Sequence, residues 1–514
     1  MANDVTVLLG ETGSGKTTQV PQYLLEAGFA DAGMIGVTQP RKVAATALAT
    51  RVSVEQGTPL GGLVGYGIRF DEKTSPATRV KYMTDGMLTR ELLWDPLLSK
   101  YAVIIVDEAH ERTLQTDLLL ANLKRILRER NGGEEGKPQV VIMSATLDAE
   151  KISQFFSDAK IIHVKGRQHP VKIFHATEDE TDYVDAALHT FFNIHFNEPP
   201  GDVLIFLPGQ EDIESLEKSI QMVSRRLPPG HDEVLTLPMY AALSGAQLQR
   251  TFAPTPPQTR KCILATKIAE TSMTIPGVRY VVDTGKVKEK RYVAGSTGGG
   301  VDTLSTRDIS KSNAMQRTGR AGREGPGFCY RLYTKDAFLG MTASPEPEIL
   351  RCSLAPAILQ LLCMGQDIRD LDLMDFPDVD AVSSPLRALF VLGALNSHRE
   401  LTDLGRAMAA LPLEPTHVRA VLASKDLNCT AEVLDIVSVL AANGTLFLTA
   451  TDKRPEIAEA RRGFTHPSGD HLTILNTVRA YRAAGGAGRS ARQEWAWAHF
   501  VDERTLRDAG SIRN

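Results

Sequence analysis

Gly10-Glu11-Thr12-Gly13-Ser14-Gly15-Lys16-Thr17 decides how this 514-residue chain is read. It follows the β-branched and apolar run Val5-Thr6-Val7-Leu8-Leu9, which reads as a buried strand, and it runs into a helical stretch over 18–27. Glycines therefore sit where a strand turns into a helix. Backbone N–H groups in such a turn point inward at phosphate oxygens, and the helix N-terminus adds partial positive charge. In this context Gly13 and Gly15 shape the cradle, Lys16 reaches the β/γ-phosphates, the Thr17 hydroxyl ligates Mg²⁺, and Thr18 completes the nucleotide-binding set. A chance glycine-rich turn is the bland reading. It is expected in only roughly a few per cent of chains this long, and fewer still would place it between strand and helix.

Length allows about three or four domains at ~100–200 residues each, with large buried cores. No apolar run reaches the ~18 residues that a membrane span needs, and no basic-then-apolar leader opens the chain, so neither membrane nor secretory signal is read. The five cysteines, Cys262, Cys329, Cys352, Cys363 and Cys429, form no Cys-x-x-Cys pair. An odd number so spaced fits a reduced interior without a cysteine zinc site. The net charge of −4 says little about nucleic acid, because placement matters more than the sum. Between 286 and 323, nine basic residues against three acidic ones leave a local +6. That run reads equally as a phosphate-facing patch or as a solvated charged face.

The first 165 or so residues alternate strands, at 5–9, 34–37, 80–83, 102–107, 139–143 and 160–164, with helices at 43–56, 86–94, 114–128 and 149–155. Such alternation predicts a mostly parallel sheet covered on both faces. Residues 131–136 read as an exposed insertion. A second alternating block follows 166–170 and runs to about 342, with strands at 203–207, 234–237, 262–265, 279–282 and 328–332. Its glycine-rich stretch at 295–300 predicts a hairpin tip within the basic run. Two α/β layers imply a ligand cleft between them. Beyond Pro345 the periodicity is helical, at 354–364, 385–395, 402–410, 417–426, 430–442, 455–462 and 470–482. Trp495 and Trp497 read as core or interface residues.

Val103-Ile104-Ile105-Val106-Asp107-Glu108-Ala109-His110 is a buried strand ending in two carboxylates. Beside a phosphate loop, Asp107 suits Mg²⁺, partly through its water shell, and Glu108 suits the attacking water; the bland reading is a surface acidic pair. Hydrolysis of a phosphoanhydride also needs positive charge at the γ-phosphate. In Gln316-Arg317-Thr318-Gly319-Arg320-Ala321-Gly322-Arg323, the spacing on a helix would put Gln316, Arg320 and Arg323 on one face, able to converge on one phosphate and one water. An exposed basic helical turn is the alternative there.

Together with Thr38-Gln39-Pro40-Arg41-Lys42-Val43-Ala44-Ala45, Thr84-Asp85-Gly86-Met87-Leu88, Ser144-Ala145-Thr146, Phe206-Leu207-Pro208-Gly209 and the stretch 265–274, these motifs resemble, in order and spacing, those of the DEAH-box RNA helicases of superfamily 2. The resemblance implies an α/β fold of two tandem RecA-like P-loop domains, 1–166 and 167–342, followed by a winged-helix domain at 343–412 and a ratchet-like helical bundle at 413–514. Gly469-Asp470-His471-Leu472-Thr473 adds a weaker shared signature. It further implies an ATP-dependent RNA helicase and nucleoside-triphosphatase, using ATP or another NTP with Mg²⁺ and moving 3′ to 5′ on single-stranded RNA. Lys16, Glu108, Gln316, Arg320 and Arg323 would be catalytic, and Thr17 and Asp107 would hold the metal. Arg51 and Phe252 would sandwich the base, which explains loose choice among nucleotides. Arg41, Thr84 and Thr266 would grip the RNA backbone, and His110, Ser144 and Thr146 would couple the nucleotide site to the RNA path.

Structured RNA, a glycine-patch-type activator and a nuclear or nucleolar setting in splicing or ribosome assembly follow from the same resemblance. The hairpin around 286–308 would be the strand separator. Pro276 stands where some relatives carry an acidic residue near the ribose, and Lys42 and Lys267 replace a frequent Arg and Asn, which bears on ribose contacts and RNA grip. Because the chain starts nine residues before Gly10 and stops at Asn514, an OB-fold domain is expected to be absent and the sequence reads as a fragment or a truncated gene model. A DNA-directed helicase of the same superfamily and a nonhydrolysing nucleotide-dependent scaffold are the competing readings.

Overall fold

The structure is a computed structural model that describes residues 3–10, 13–129, 138–145, 149–164, 166, 169–178, 180–228, 230–240, 243, 245–270, 275–295, 300–442, 444–448, 454–484 and 489–513. The chain folds as two compact units, Met1–Pro385 and Leu386–Asn514.

In the first unit, strands β1 Val5–Gly10, β2 Met34–Gln39, β3 Val64–Ile68, β4 Asp71–Lys73, β5 Val80–Thr84, β6 Tyr101–Val106, β7 Gln139–Ser144 and β8 Lys160–Val164 form one sheet in the order β4-β3-β5-β2-β6-β7-β1-β8. Every pairing is parallel except β3 with β4. Period-two alternation along β6 explains its all-apolar composition. Ile104 and Val106 pack with Leu119, Leu120 and Leu123 of helix α4, which is Leu114–Glu129. Val103 and Ile105 pack on the other face with Ala49 and Val52 of α2, Lys42–Glu55. Helices α1 Lys16–Glu26, α3 Asp85–Glu91 and α5 Ala149–Phe155 complete this layer. Since β2, β6, β7 and β1 are adjacent and parallel, their C-terminal ends open on one edge, where a ligand crevice is expected.

A second sheet runs β11-β12-β10-β13-β16-β9, all parallel. Its strands are β9 Val171–His175, β10 Asp202–Phe206, β11 Glu233–Met239, β12 Thr259–Ala265, β13 Val278–Asp283 and β16 Gly327–Arg331. Helices α6 Tyr183–Asn197, α7 Gln210–Ser224, α8 Gly245–Thr251 and α9 Lys311–Thr318 accompany it. Between β13 and α9, strands β14 Lys286–Ala294 and β15 Gly300–Asp308 pair antiparallel as a separate two-stranded ribbon. The expected hairpin is therefore present, although residues 296–299 of its tip lie outside the described residues, as does the insertion at 131–136.

The sequence reading missed β3, β4 and β9. Residues 64–68 are glycine-interrupted, 71–73 are polar and exposed, and β9 is a half-exposed edge strand, so none carries the apolar run of a central strand. The second unit is helical, from Asp403–Ala410 to Glu503–Arg513, with only isolated bridges at Leu395–Leu401 and Phe447–Val501 among the described residues. Its core joins Val439, Phe464, Ile474, Val478, Tyr481 and Leu506. Trp495 packs against that core and stacks on His499 at 4.4 Å, whereas Trp497 is 84 % exposed and lies outside the core. Among the described residues no helix is long and apolar enough to cross a membrane. All five cysteines are free.

Candidate functional site

Gly13 and Gly15 carry φ of 86° and 81°, a left-handed geometry that favours glycine, and the turn they make delivers Lys16 at the first position of α1. Lys16 is buried, and its ammonium donates to the Gly10 carbonyl, closing the loop on itself. Next to it, Thr17 Oγ1 donates to Asp107 Oδ2 at 2.5 Å, and the Thr18 hydroxyl donates to the Gly15 carbonyl at 3.2 Å. Asp107 follows β6 and is buried; Gln39 Nε2 donates to the same Oδ2 at 2.6 Å, and the Glu108 N–H donates to Oδ1 at 2.8 Å. Burial raises Asp107 to about 7, with the Glu108 charge adding to the rise and Thr17, Lys16 and Gln39 opposing it. A cation among these oxygens would favour the ionised form.

Glu108 adopts φ 51° and leads a short 3₁₀ turn, Ala109–Glu111. Its carboxylate lies 3.5 Å from His110 Nε2. His110 Nδ1 accepts from the Ala145 N–H at 3.3 Å, which leaves Nε2 to carry the proton toward Glu108. Ser144 is buried at the end of β7, so His110 links the carboxylate to that strand end. Thr146 lies outside the described residues.

The arginine motif corrects one sequence expectation. Helix α9 ends at Thr318, with Gly319 as its cap, so Gln316, Arg320 and Arg323 share no helix face. A turn carries both arginines instead, because Gly322 runs too close to the backbone at His169 for a side chain: a Cβ there would sit 2.6 Å from the His169 carbonyl oxygen. The turn nonetheless delivers Arg323 to the phosphate loop, where its guanidinium occupies the space a Cβ on Gly13 would take. Arg320 is buried and donates to the Glu270 carbonyl. Burial and the adjacent Arg323 push its pKa down, while the Glu108 charge works the other way. Gln316 stays half-buried in a crevice that Arg41, His110, Glu111 and Glu270 also line.

Arg41 spans the two sheets by donating to the Lys267 carbonyl and to Glu111, each at 3.2 Å. Thr84 precedes α3 and Thr266 follows β12, both half-buried. Arg51, on α2, is exposed and paired with Glu55 at 2.5 Å; Phe252 packs against the core of the second sheet. The basic run at 286–323 is largely matched by acid: Lys286 with Asp308, Lys288 with Glu211, Lys290 with Asp302, Arg291 with Glu346, and Arg317 with Glu270 and Asp283. The paired members fit the charged-face reading, whereas Arg323, at the end of the same run, reaches the phosphate loop. Sequence reasoning missed Gln39, Glu111 and Glu270. Gln39 could have been found, since it ends the strand beside β6 and so stands level with Asp107.

Family comparisons match an AAA domain to residues 1–152, a helicase conserved C-terminal domain to 183–325, and the winged-helix and ratchet-like parts of the helicase associated domain (HA2) to 386–413 and 414–474. ATP-dependent RNA helicase DHX33 of Homo sapiens is 45% identical over 516 residues, 99% of this chain and 72% of that protein. Pre-mRNA-splicing factor ATP-dependent RNA helicase DEAH10 of Arabidopsis thaliana is 43% identical over 558 residues, 99% of this chain and 77% of that protein. The splicing factor ATP-dependent RNA helicase prp22 of Schizosaccharomyces pombe is 44% identical over 514 residues, covering 99% of this chain and 43% of its own length. With tandem α/β sheets, a phosphate loop met by an arginine turn, and relatives of this identity matched along nearly the whole chain, the protein belongs to the DEAH-box ATP-dependent RNA helicase family.

Proposed function

We propose that this helicase hydrolyses ATP in the crevice between the phosphate loop and the Arg320–Arg323 turn, and uses the cycle to move 3′ to 5′ on single-stranded RNA. The carrying observation is the contact of Arg323 with Gly13, which joins groups from the two sheets. In this reading Gly13, Gly15, Lys16, Thr17 and Thr18 hold the triphosphate, and Arg51 and Phe252 flank the base. Glu108, with His110 behind it, takes a proton from the water that attacks the γ-phosphorus as the bond to the β–γ bridging oxygen breaks. Gln316 orients that water, and Arg320 and Arg323 meet the charge moving onto the leaving oxygen.

Hard oxygen donors at Thr17 and Asp107, 2.5 Å apart, fit Mg²⁺. When bound, the ion neutralises phosphate charge. Arg41, Thr84 and Thr266 hold the RNA backbone, Ser144 and Thr146 couple the two sites, and the β14–β15 ribbon separates strands. Domain limits of 1–166, 167–342, 343–412 and 413–514 accompany this reading. Relatives named as splicing factors support nuclear work on RNA or ribonucleoprotein, with ribosome assembly and a nucleolar site also to be tested; the family resemblance alone makes a glycine-patch-type protein the activator to try.

ATP turnover and unwinding of a 3′-overhang duplex, measured with RNA and DNA strands side by side, test the proposal. RNA should stimulate turnover and Glu108→Gln should abolish it. Undiminished turnover in Glu108→Gln would remove that carboxylate from the mechanism, and equal action on DNA would favour the DNA-directed reading.

A further inference from the structure

The largest fully buried side chain among the described residues is a charged one, Arg317. Burying a guanidinium costs several kcal/mol unless its donors are paired, and a well-packed apolar side chain would serve stability about as well. Its three arms reach three different elements. Nε donates to Glu270 Oε1 at 2.6 Å, at the end of a 3₁₀ turn that follows β12. Nη1 donates to Asp283 Oδ1 at 2.8 Å, at the end of β13, and Nη2 donates to the Lys286 carbonyl at 3.2 Å, on the first residue of β14. The guanidinium also lies over the Phe206 ring at 4.9 Å. Burial works against the charge, but Glu270 and Asp283 outweigh it and hold Arg317 above its usual pKa.

Both acids have further partners. Glu270 accepts from Asn313 Nδ2 through Oε2 at 3.0 Å, and its carbonyl accepts from Arg320. Asp283 accepts from the Tyr333 hydroxyl at 2.8 Å and from the Gly285 N–H at 2.9 Å. One continuous set of charge-assisted bonds therefore runs from Arg320 through Glu270 and Arg317 to the root of the β14–β15 ribbon. That ribbon belongs to neither large sheet, so its direction is set at its root and at a mid-strand anchor, where Arg351 donates to the Lys290 carbonyl and accepts from the Tyr292 N–H. At about 3.3 Å per residue, nine-residue strands make a lever of roughly 30 Å, and a 5° tilt at the root moves its far end by ~3 Å.

We propose that Arg317 is a positioning residue that transmits the setting of Arg320 to the root of the β14–β15 ribbon, so that nucleotide state sets where the ribbon points. The inference rests on the helicase reading above, in which Arg320 answers to the nucleotide. Arg317→Lys keeps the charge and loses the fork that spans both acids and the carbonyl. In the full chain it should keep RNA-stimulated turnover within about threefold while duplex unwound per ATP falls about tenfold. Amide hydrogen exchange across 286–294 and 300–308 should respond to ADP–beryllium fluoride in the unaltered protein and stop responding in the variant.

A merely structural role would lower turnover and unwinding in proportion while leaving the ribbon's response in place. That result overturns the proposal, and so does a ribbon that never responds in the unaltered protein. Should Arg317→Lys fail to fold, Tyr333→Phe removes one bond to Asp283 and keeps the ring. It should lower unwinding per ATP by roughly two- to threefold, and an unchanged ratio would overturn the proposal equally. Absence of RNA-stimulated turnover in the unaltered protein would instead count against the helicase reading.

Discussion

The Arg323 guanidinium lies directly against the Gly13 backbone, in the space where any other residue would carry its Cβ. Two constraints therefore meet at Gly13, a left-handed φ of 86° and a neighbour from the other sheet. Gly13→Ala should cost about 1–2 kcal/mol of stability from the backbone alone. Turnover should fall much further, by roughly a hundredfold, because the added methyl displaces Arg323. Urea unfolding and steady-state hydrolysis separate the two effects, and a variant with normal turnover would show that Arg323 works from another position.

Asp85 opens α3 in complete burial, with Thr116 Oγ1 donating to its Oδ2 at 2.5 Å. Burial lifts its carboxyl to about 6, against the opposing effect of the Thr116 hydroxyl. A raised carboxylate holds its proton more tightly when folded than when unfolded. Its contribution is therefore complete below about pH 4 and is lost as pH rises through about 6. Asp85→Asn should unfold at higher urea than the unaltered protein at pH 7.5, by up to roughly 3 kcal/mol, with the gain shrinking toward pH 5. A gain independent of pH would place its cause outside this carboxyl.

His195 sits among Phe191, Phe192 and Phe196 in the second sheet's layer, and neither ring nitrogen has a hydrogen-bond partner among the described residues. Burial and the nearby Arg260 lower its pKa. A lowered histidine favours the folded state above its unfolded value near 6.5 and loses that contribution as pH falls below it. His195→Phe should narrow the difference in thermal midpoint between pH 5.5 and pH 7.5. An undiminished difference would move the acid sensitivity elsewhere.

How much of this was legible follows from which forces act locally. Val5 to Leu9 and Val103 to Val106 announce central strands because a sheet covered on both faces needs unbroken apolar runs. Val64-Gly65-Tyr66-Gly67-Ile68 carries no such run and owes its place to pairing with β5. The helices Arg489–Ala498 and Glu503–Arg513 bury only a few apolar side chains, so their periodicity was too thin to read. At the arginine motif a helical period runs on in the sequence through Gly319 and Gly322, whereas the helix ends at Thr318 and Gly322 passes too close to His169 to carry a side chain. Arg317 counted in the sequence as one more positive charge. Its role depends on Glu270 and Asp283, distant in sequence, and no local pattern identifies such partners.

The Gln39 amide donates to the same Asp107 oxygen that Thr17 also addresses. Asp107 Oδ2 takes one hydrogen bond from each, at 2.6 and 2.5 Å, so the two donors fix which way the carboxylate faces. Loss of the amide in Gln39→Ala would leave Thr17 as the one side chain donating to Oδ2, beside the Glu108 N–H on Oδ1, and would open a small void at the end of β2. Binding of a fluorescent ATP analogue without Mg²⁺ should change little, since Gly13 to Thr18 are untouched. The Mg²⁺ concentration for half-maximal turnover should rise by roughly 3- to 10-fold, with maximal turnover recovered only in part. Gln39→Glu should be worse than Gln39→Ala, because it sets a second carboxylate against Asp107 where a donor stood. An unchanged Mg²⁺ requirement in both variants would mean that Thr17 and the Glu108 N–H orient Asp107 without Gln39.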